Sequence, residues 1–350
     1  MRGFQITIWA ILLTVITSCG SSVENPIDKP LRIESVSDQE KEAQINLEVN
    51  RFDEDFFAIT KASFIKDTTL LYEKYGSFVD LFTGKIIRLG GKNFPMFSEN
   101  ILGFINDPDI QSVYKEVKKQ YPSLEEENKD LSIAMTRYHL VFPDSLIPQV
   151  NAMISGFNYN IAISDSTLAI GLDMYLGDSC RFYELLALPA YKTKRMNRNY
   201  LVTDAVKGFV LATFPNEAKE EDLISRMIYE GKMIYFISQL LPQYSAASVM
   251  TYTEAELEWC KKNEGKIWSH FIDRKLFYTR DFNNEVAYVS DGPFTKGFPQ
   301  EAPPRIGVWL GLQIVKSFME KNAEISLPQL IQMNDAHKLF NTSGYKPVRS

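Results

Sequence analysis

A block of β-forming sequence in the middle of the chain limits the folds open to it more than any other feature. Residues 147–176 hold three apolar stretches, VNAMISGF, YNIAIS and TLAIGLDMYL, with the turn-forming residues Asn158 and Asp165-Ser166 between them. Short apolar runs bounded by such residues are typical of strands. We therefore predict a meander of strands that forms one small antiparallel or mixed sheet.

The sequence on both sides of this block has the periodicity of helices. Within residues 107–121, Ile110, Val113 and Val117 fall on one helical face together with two tyrosines. Further helices are predicted over residues 123–142, 199–214, 220–241, 253–277 and 305–321, followed by a short last helix.

Capping boxes support three of the predicted helix starts. They pair Ser123 with Glu126, Thr253 with Glu256, and Ser326 with Gln329. Outside the central block, only residues 45–52 alternate with the period of a strand. The whole pattern predicts the α+β class, a mostly helical single domain with a small central sheet.

The N-terminus has the pattern of a bacterial export signal. Arg2 is followed by an apolar stretch over residues 5–17 and then by Val15-Ile16-Thr17-Ser18-Cys19, which resembles a lipobox. A lipobox implies cleavage before Cys19 and acylation of its thiol, and two or more acyl chains anchor a protein durably. We predict a signal peptide over 1–18, a lipidated tether over 19–44 and a globular domain over 45–350.

Charge and missing motifs exclude several functions. The chain has a net charge of −6, which disfavours nucleic acid as a partner. Its histidines, His139, His270 and His337, form no HExxH pair, and neither a P-loop nor a G-x-S-x-G is present. We expect no cofactor and no bound metal. Cys180 and Cys260 are left either as a disulfide or as two free thiols.

Five segments together resemble the family of the gliding-motility lipoprotein GldB. They are the lipobox, residues 156–177 with IGLDMYLG, residues 199–214, residues 227–242 with MIYEGKMIYF, and residues 303–320 with PPRIGVWLG. The resemblance covers nearly the whole mature chain. It implies an envelope protein of a gliding machinery and its associated secretion system, with another envelope protein as partner.

The order of elements is also similar, more weakly, to a family of zinc metallopeptidases. There a strand meander precedes a helix with HExxH, and a later helix supplies a Glu ligand, which Glu230 matches here. At the HExxH position this chain has TDAVK, so that Thr203 and Lys207 replace the two histidines and Asp204 replaces the catalytic Glu. A Thr hydroxyl is a poor zinc ligand, and an ammonium repels the ion. The resemblance therefore implies a degenerate zincin-like scaffold in which an ion pair replaces the metal. Alternatively, these residues are ordinary surface charges.

Several aromatic side chains are candidates to line the groove of such a scaffold. They are Phe157, Tyr159, Tyr175, Tyr183 and Trp309, and core packing is the alternative role for each of them. We expect a non-catalytic, lipid-anchored envelope protein that faces the periplasm rather than the cell surface and binds its partner in this groove. The alternatives are an active hydrolase without HExxH and a purely structural tether.

The anchor can be tested by replacing Cys19. We expect Cys19→Ala to leave the protein without lipid, because the junction offers no other thiol for the thioether. In detergent phase partitioning, the wild-type protein should enter the detergent phase and the variant the aqueous phase. A variant that still partitions fully with the detergent would show that lipid at Cys19 is not the main anchor.

Overall fold

The structure, a computed structural model, describes residues 43–347. The predicted signal peptide, Cys19 and the tether as far as residue 42 lie outside the described residues. Among the described residues, no helix is both long and apolar enough to span a membrane.

The described part of the chain is mostly helical and contains one four-stranded sheet, which confirms the α+β class. The strands are β1 (Val49–Asn50), β2 (Gln149–Met153), β3 (Ile161–Ile163) and β4 (Thr167–Gly171). The α-helices are α1 (Phe52–Phe57), α2 (Phe64–Tyr75), α3 (Phe78–Leu81), α4 (Phe97–Asn106), α5 (Pro108–Gln120), α6 (Glu125–Val141), α7 (Arg181–Leu185), α8 (Ala190–Thr193), α9 (Arg198–Thr213), α10 (Leu223–Leu240), α11 (Ala246–Met250), α12 (Glu254–Lys262), α13 (Glu264–Asp273), α14 (Phe282–Val289), α15 (Ile306–Lys321), α16 (Leu327–Gln332) and α17 (Ala336–Ser343). A π-helical segment (Phe82–Ile86) follows α3, and a 3₁₀ helix (Leu172–Tyr175) follows β4.

The sheet is mixed, and its strand order corrects the predicted meander. The order is β1-β2-β4-β3, with β2 parallel to β1 and β4, and β3 antiparallel to β4. Every residue of β4 is buried, whereas β3 is only half-buried. A strand that is apolar on both faces is stable in the interior of a sheet, and so β4 lies between β2 and β3.

The predicted strand over residues 45–52 is reduced to two residues because its first half bonds to a helix instead. The backbone N–H groups of Ile45 and Leu47 donate to the hydroxyls of Thr136 and Ser132, at 3.0 and 2.9 Å. These hydroxyls lie one turn apart on α6. Side chains of a helix thus take the place of a strand partner.

Two of the three predicted capping boxes form. Thr253 and Ser326 each cap their helix reciprocally with the residue three positions on. The box at Ser123 is wrong, because α6 has the buried Leu124 as its N-cap and the Ser123 hydroxyl accepts only from the N–H of Glu125. The helix predicted over 253–277 is two helices, α12 and α13, which meet at Asn263.

Asp173, which belongs to the IGLDMYLG block, connects two segments of the fold through its carboxylate. Its fully buried carboxylate accepts from the N–H groups of Ser155 and Phe157, at 3.0 and 2.6 Å, and from the Ser155 hydroxyl. Burial raises the pKa of Asp173 to about 6 in spite of these bonds. The carboxylate ties the loop after β2 to the 3₁₀ helix after β4, which fixes the direction of the chain toward Tyr175.

Helices α10 and α15 cross in very close contact through glycines. A Cβ atom at Gly311 would lie 1.9 Å from the carbonyl oxygen of Met227, and one at Gly231 would lie 2.4 Å from the carbonyl carbon of Gly311. No side chain fits at either position unless the backbones separate. Both glycines belong to the segments on which the family resemblance rests, and this crossing gives a physical reason for them.

We expect Gly311→Ala to lower the free energy of unfolding by about 2 kcal/mol or more, because overpacking against backbone forces two long helices apart. Gly103→Ala is the matched control, since a Cβ there meets nothing within 4 Å inside a helix. That change should leave stability unchanged or raise it by up to about 1 kcal/mol. Urea unfolding of both variants measures the difference, and equal values would refute the glycine crossing.

Candidate functional site

A cavity of about 490 Å³ opens between helices α9 and α10 and the start of α15. Its volume is in the range of ligand-binding sites in proteins. The charged side chains that line it are Lys192, Arg195, Asp204, Lys207, Glu230, Asp291 and Arg305. The uncharged ones are Asn160, Met174, Tyr175, Met196, Leu211, Thr251 and Val289.

Asp204 and Tyr175 form a hydrogen-bonded pair on the cavity wall. The buried Tyr175 hydroxyl donates to Oδ2 of Asp204 at 3.0 Å. Desolvation raises the pKa of Asp204, while the nearby Lys207 and the hydrogen bond from Tyr175 counteract the rise. Desolvation and the Asp204 charge raise the pKa of Tyr175 as well. At neutral pH the tyrosine is therefore the donor of this pair.

The ammonium group of Lys207 has no contact partner among the described residues. No hydrogen bond or ion pair within 4.0 Å joins its ammonium to any residue of the range 43–347. Desolvation lowers the pKa of Lys207 to about 8, and the Arg305 guanidinium adds to the effect, although Glu230, Asp204 and Asp291 oppose it. The ammonium is thus close to carboxylates without being bound by any of them.

Glu230 is paired with Arg226 and not with Lys207. Nη2 of Arg226 lies 3.1 Å from Oε1 of Glu230, one helical turn away on α10, and Nε lies 3.6 Å from Glu285 of α14. The ion pair that the peptidase resemblance implies in place of the metal is therefore not formed between Lys207 and Glu230. The physical reason is that an arginine on the same helix reaches the carboxylate first.

Arg195 is the best-paired cation of the cavity. It lies 3.1 Å from Oδ1 of Asp291 and 3.4 Å from Oε1 of Glu256. These contacts connect the segment after α8 to α12 and to the loop after α14. They also occupy the Asp291 carboxylate, which would otherwise be available to another cation in the cavity.

Two residues of the cavity wall have a left-handed backbone without being glycine. Thr251 has a φ of 59° and a ψ of 40°, and Arg305 has a φ of 59° and a ψ of 32°. A β-branched residue in this region is an outlier. Such conformations cost on the order of 1–3 kcal/mol and cluster at functional sites. Arg305 is the N-cap of α15, so its conformation sets where that helix begins.

The positions predicted from the peptidase resemblance are only partly brought together. Asp204, Lys207 and Glu230 line the cavity, but Thr203 does not. Thr203 is buried, and its hydroxyl donates to the carbonyl of Tyr200 at 3.0 Å. Among the described residues, no group of three or more His, Cys, Asp or Glu side chains could hold a metal ion.

Of the five aromatic groove candidates, only Tyr175 lines the cavity. Phe157 packs against Phe182, the Tyr183 hydroxyl donates to the Asp173 carbonyl at 2.9 Å, and Trp309 is buried in α15. Tyr159 is partly exposed beside the cavity residue Asn160. The other four side chains do not line this cavity. Core packing accounts for the buried Tyr183 and Trp309, and the half-buried Phe157 packs against the core.

Sequence reasoning missed the arginines of the cavity and its methionine wall. Arg305 stands inside the PPRIGVWLG segment, and a lone arginine before a helix was the signal that could have indicated it. Arg195, Met174 and Met196 carry no local signal, because only the tertiary structure brings them to one place. Cys180 and Cys260 are free thiols, which decides between the two alternatives for them.

Comparison with known proteins gives one match. The family model described as gliding motility protein GldB matches residues 34–347. No curated protein and no solved structure matches the chain significantly.

The unpaired state of Lys207 predicts an unusual stability effect. We expect Lys207→Met to keep or raise the free energy of unfolding at pH 7, by up to about 1 kcal/mol, because the change removes a desolvated cation and breaks no contact. Since the pKa of Lys207 is lowered in the folded state, this penalty is present below about pH 8 and fades as pH rises toward the unfolded value. Between pH 8 and 10, the free energy of unfolding of the wild type should therefore rise relative to that of the variant.

Replacement of two other lysines provides the controls for this measurement. The buried Lys232 donates to the carbonyls of Ile331 and Met333, at 3.2 and 2.7 Å, so Lys232→Met should cost about 1–3 kcal/mol. Lys266 is exposed on α13, and its replacement by Met should change little. A loss of about 3–5 kcal/mol for Lys207→Met would instead mean that Lys207 compensates a buried carboxylate directly.

Proposed function

The chain belongs to the GldB family of gliding motility proteins, and on that premise we propose that it is a non-catalytic, lipid-anchored protein of the cell envelope. Its role in this proposal is to bind an envelope protein of the gliding and associated secretion machinery. The binding site is the cavity between α9, α10 and the start of α15. The lipid at Cys19 holds the domain at the membrane.

The observation that carries this proposal is a ligand-sized cavity whose polar groups are not all satisfied. Lys207 has no contact partner there among the described residues, and Arg305 and Thr251 hold strained backbone on the wall. A structural scaffold alone has no need for either feature, since filling the cavity with apolar side chains would be more stable. Unmet charge and stored strain are typical of surfaces that bind something.

A non-catalytic role is favoured over an active hydrolase by the chemistry of the individual groups. The Thr203 hydroxyl bonds within its own helix, so it does not face the cavity as a nucleophile or ligand. One oxygen of each carboxylate is engaged, Oδ2 of Asp204 by the Tyr175 hydroxyl and Oε1 of Glu230 by Arg226, which makes each a weaker base toward a water molecule than an unpaired carboxylate. The link to a peptidase ancestor rests on the weaker sequence resemblance alone.

A photo-crosslinking amino acid in living cells tests the binding site. Placed at Lys192, which is exposed at the cavity, it should give one discrete crosslinked envelope protein. The same amino acid at the exposed Lys266, which does not line the cavity, should not give this product. Lys207→Glu should abolish the crosslink and stop colony spreading, whereas Lys266→Glu at the same protein level should do neither.

The outcomes separate the candidate functions. If the protein is only a structural tether, cells with Lys207→Glu should spread normally as long as the variant is present and membrane-bound. If the protein is a hydrolase, Asp204→Asn, which keeps the size of the side chain, should stop colony spreading while the crosslink persists. Either result would contradict partner binding in the cavity as the function.

A further inference from the structure

The cavity contains two cations, Lys207 and Arg305, that form no ion pair within 4.0 Å with any described residue, and each nearby carboxylate has another contact partner. Asp204 accepts from Tyr175, Glu230 is paired with Arg226, and Asp291 is paired with Arg195. Lys207 has no contact partner within residues 43–347. For Arg305, the one hydrogen bond that the described chain provides is from Nη1 to the carbonyl of Met250, at 3.3 Å.

Lys207 and Arg305 line the same cavity, and their positive charges repel each other. Arg305 is the second largest cause, after desolvation, of the lowered pKa of Lys207. Arg305 is only 7% exposed, so solvent screens its charge poorly. This repulsion raises the energy of the empty cavity, and the carboxylates of Asp204, Glu230 and Asp291 offset part of it. An anion between the two cations would remove that repulsion and give each cation a charge-assisted hydrogen bond.

The backbone around Arg305 adds to the positive potential and fixes its position. Arg305 is the N-cap of α15, a helix of 16 residues, whose N-terminal end carries partial positive charge. Arg305 has a left-handed conformation, with a φ of 59°, and the helix begins at the next residue.

From this arrangement we propose that the cavity recognises the free carboxylate at the C-terminus of a peptide chain, held between Lys207 and Arg305. The inference rests on the proposed function and names the part of the partner that is bound. A guanidinium suits the two oxygens of a carboxylate, and the ammonium provides the second cation.

The rest of the lining favours a peptide terminus over a phosphate group. Met174, Met196 and Leu211 form an apolar wall for the last side chain of a peptide. The flexible thioethers of methionine adapt to side chains of different shape. Asp204 and Glu230 share the cavity, and their charges oppose a phosphate with about two negative charges more than a carboxylate with one.

Binding of defined peptides to the full-length lipoprotein in detergent tests the inference by calorimetry. The probes are N-acetyl tripeptides that end in Ala, Val, Leu or Phe, each as the free acid and as the carboxamide, with inorganic phosphate as the second source of an anion. We expect at least one free acid to bind saturably, and its carboxamide to bind at least about tenfold more weakly, since a tenfold change corresponds to one charge-assisted hydrogen bond.

Variants identify the groups responsible. Lys207→Met should weaken binding of the free acid at least about tenfold and narrow its advantage over the carboxamide, because only Arg305 is left to bind the carboxylate. Lys207→Arg, which keeps the charge, should restore the preference for the acid, and Lys266→Met should match the wild type. Equal binding of acid and amide, no saturable binding of any acid, or phosphate competing as well as the peptides would each overturn the inference. If these tests fail while the in-cell crosslink still depends on Lys207, the carboxylate inference falls and partner binding in the cavity stands.

Discussion

The glycine crossing of helices α10 and α15 is the contact on which the rest of the structure depends. Gly231 and Gly311 let two long, almost fully buried helices approach until backbone meets backbone. Glu230 precedes the first of these glycines, and Arg305 caps the second helix. The crossing therefore determines how far a carboxylate and a guanidinium stand apart across the cavity. A wider approach would change the cavity and the core together.

The charged side chains around the cavity fall into two groups, those that form ion pairs within the fold and those that do not. Most are consumed in pairs that hold segments together, such as Arg195 with Asp291 and Glu256, or Arg226 with Glu230. Lys207 is left out of these pairs although three carboxylates are near it. Since this half-buried, unpaired cation adds no contact to the fold, its presence is explained more readily by a ligand than by folding.

How much of this could be read from the sequence depends on the range of the interactions. The long helices were predictable because their apolar periodicity and the caps at Thr253 and Ser326 are local. The strand order was not, because it depends on which strand is buried on both faces. The meeting of Asp204, Lys207 and Glu230 followed from a family resemblance. The role of Tyr183 as a core residue did not, because a core and an apolar groove have the same composition. Arg305 was missed because only the tertiary structure brings it into the same cavity as Lys207.

Lys207 is a cation that the folded protein holds without a contact partner among the described residues, and the ionisation of this one side chain is the most direct test of that property. The ¹³Cε signal of lysine-labelled protein, assigned with Lys207→Met, can be followed by NMR from pH 6 to 11. The account predicts that Lys207 titrates with a pKa of about 8. A pKa at or above the ordinary lysine value of about 10.4 would mean that a carboxylate binds the ammonium, and would contradict the account.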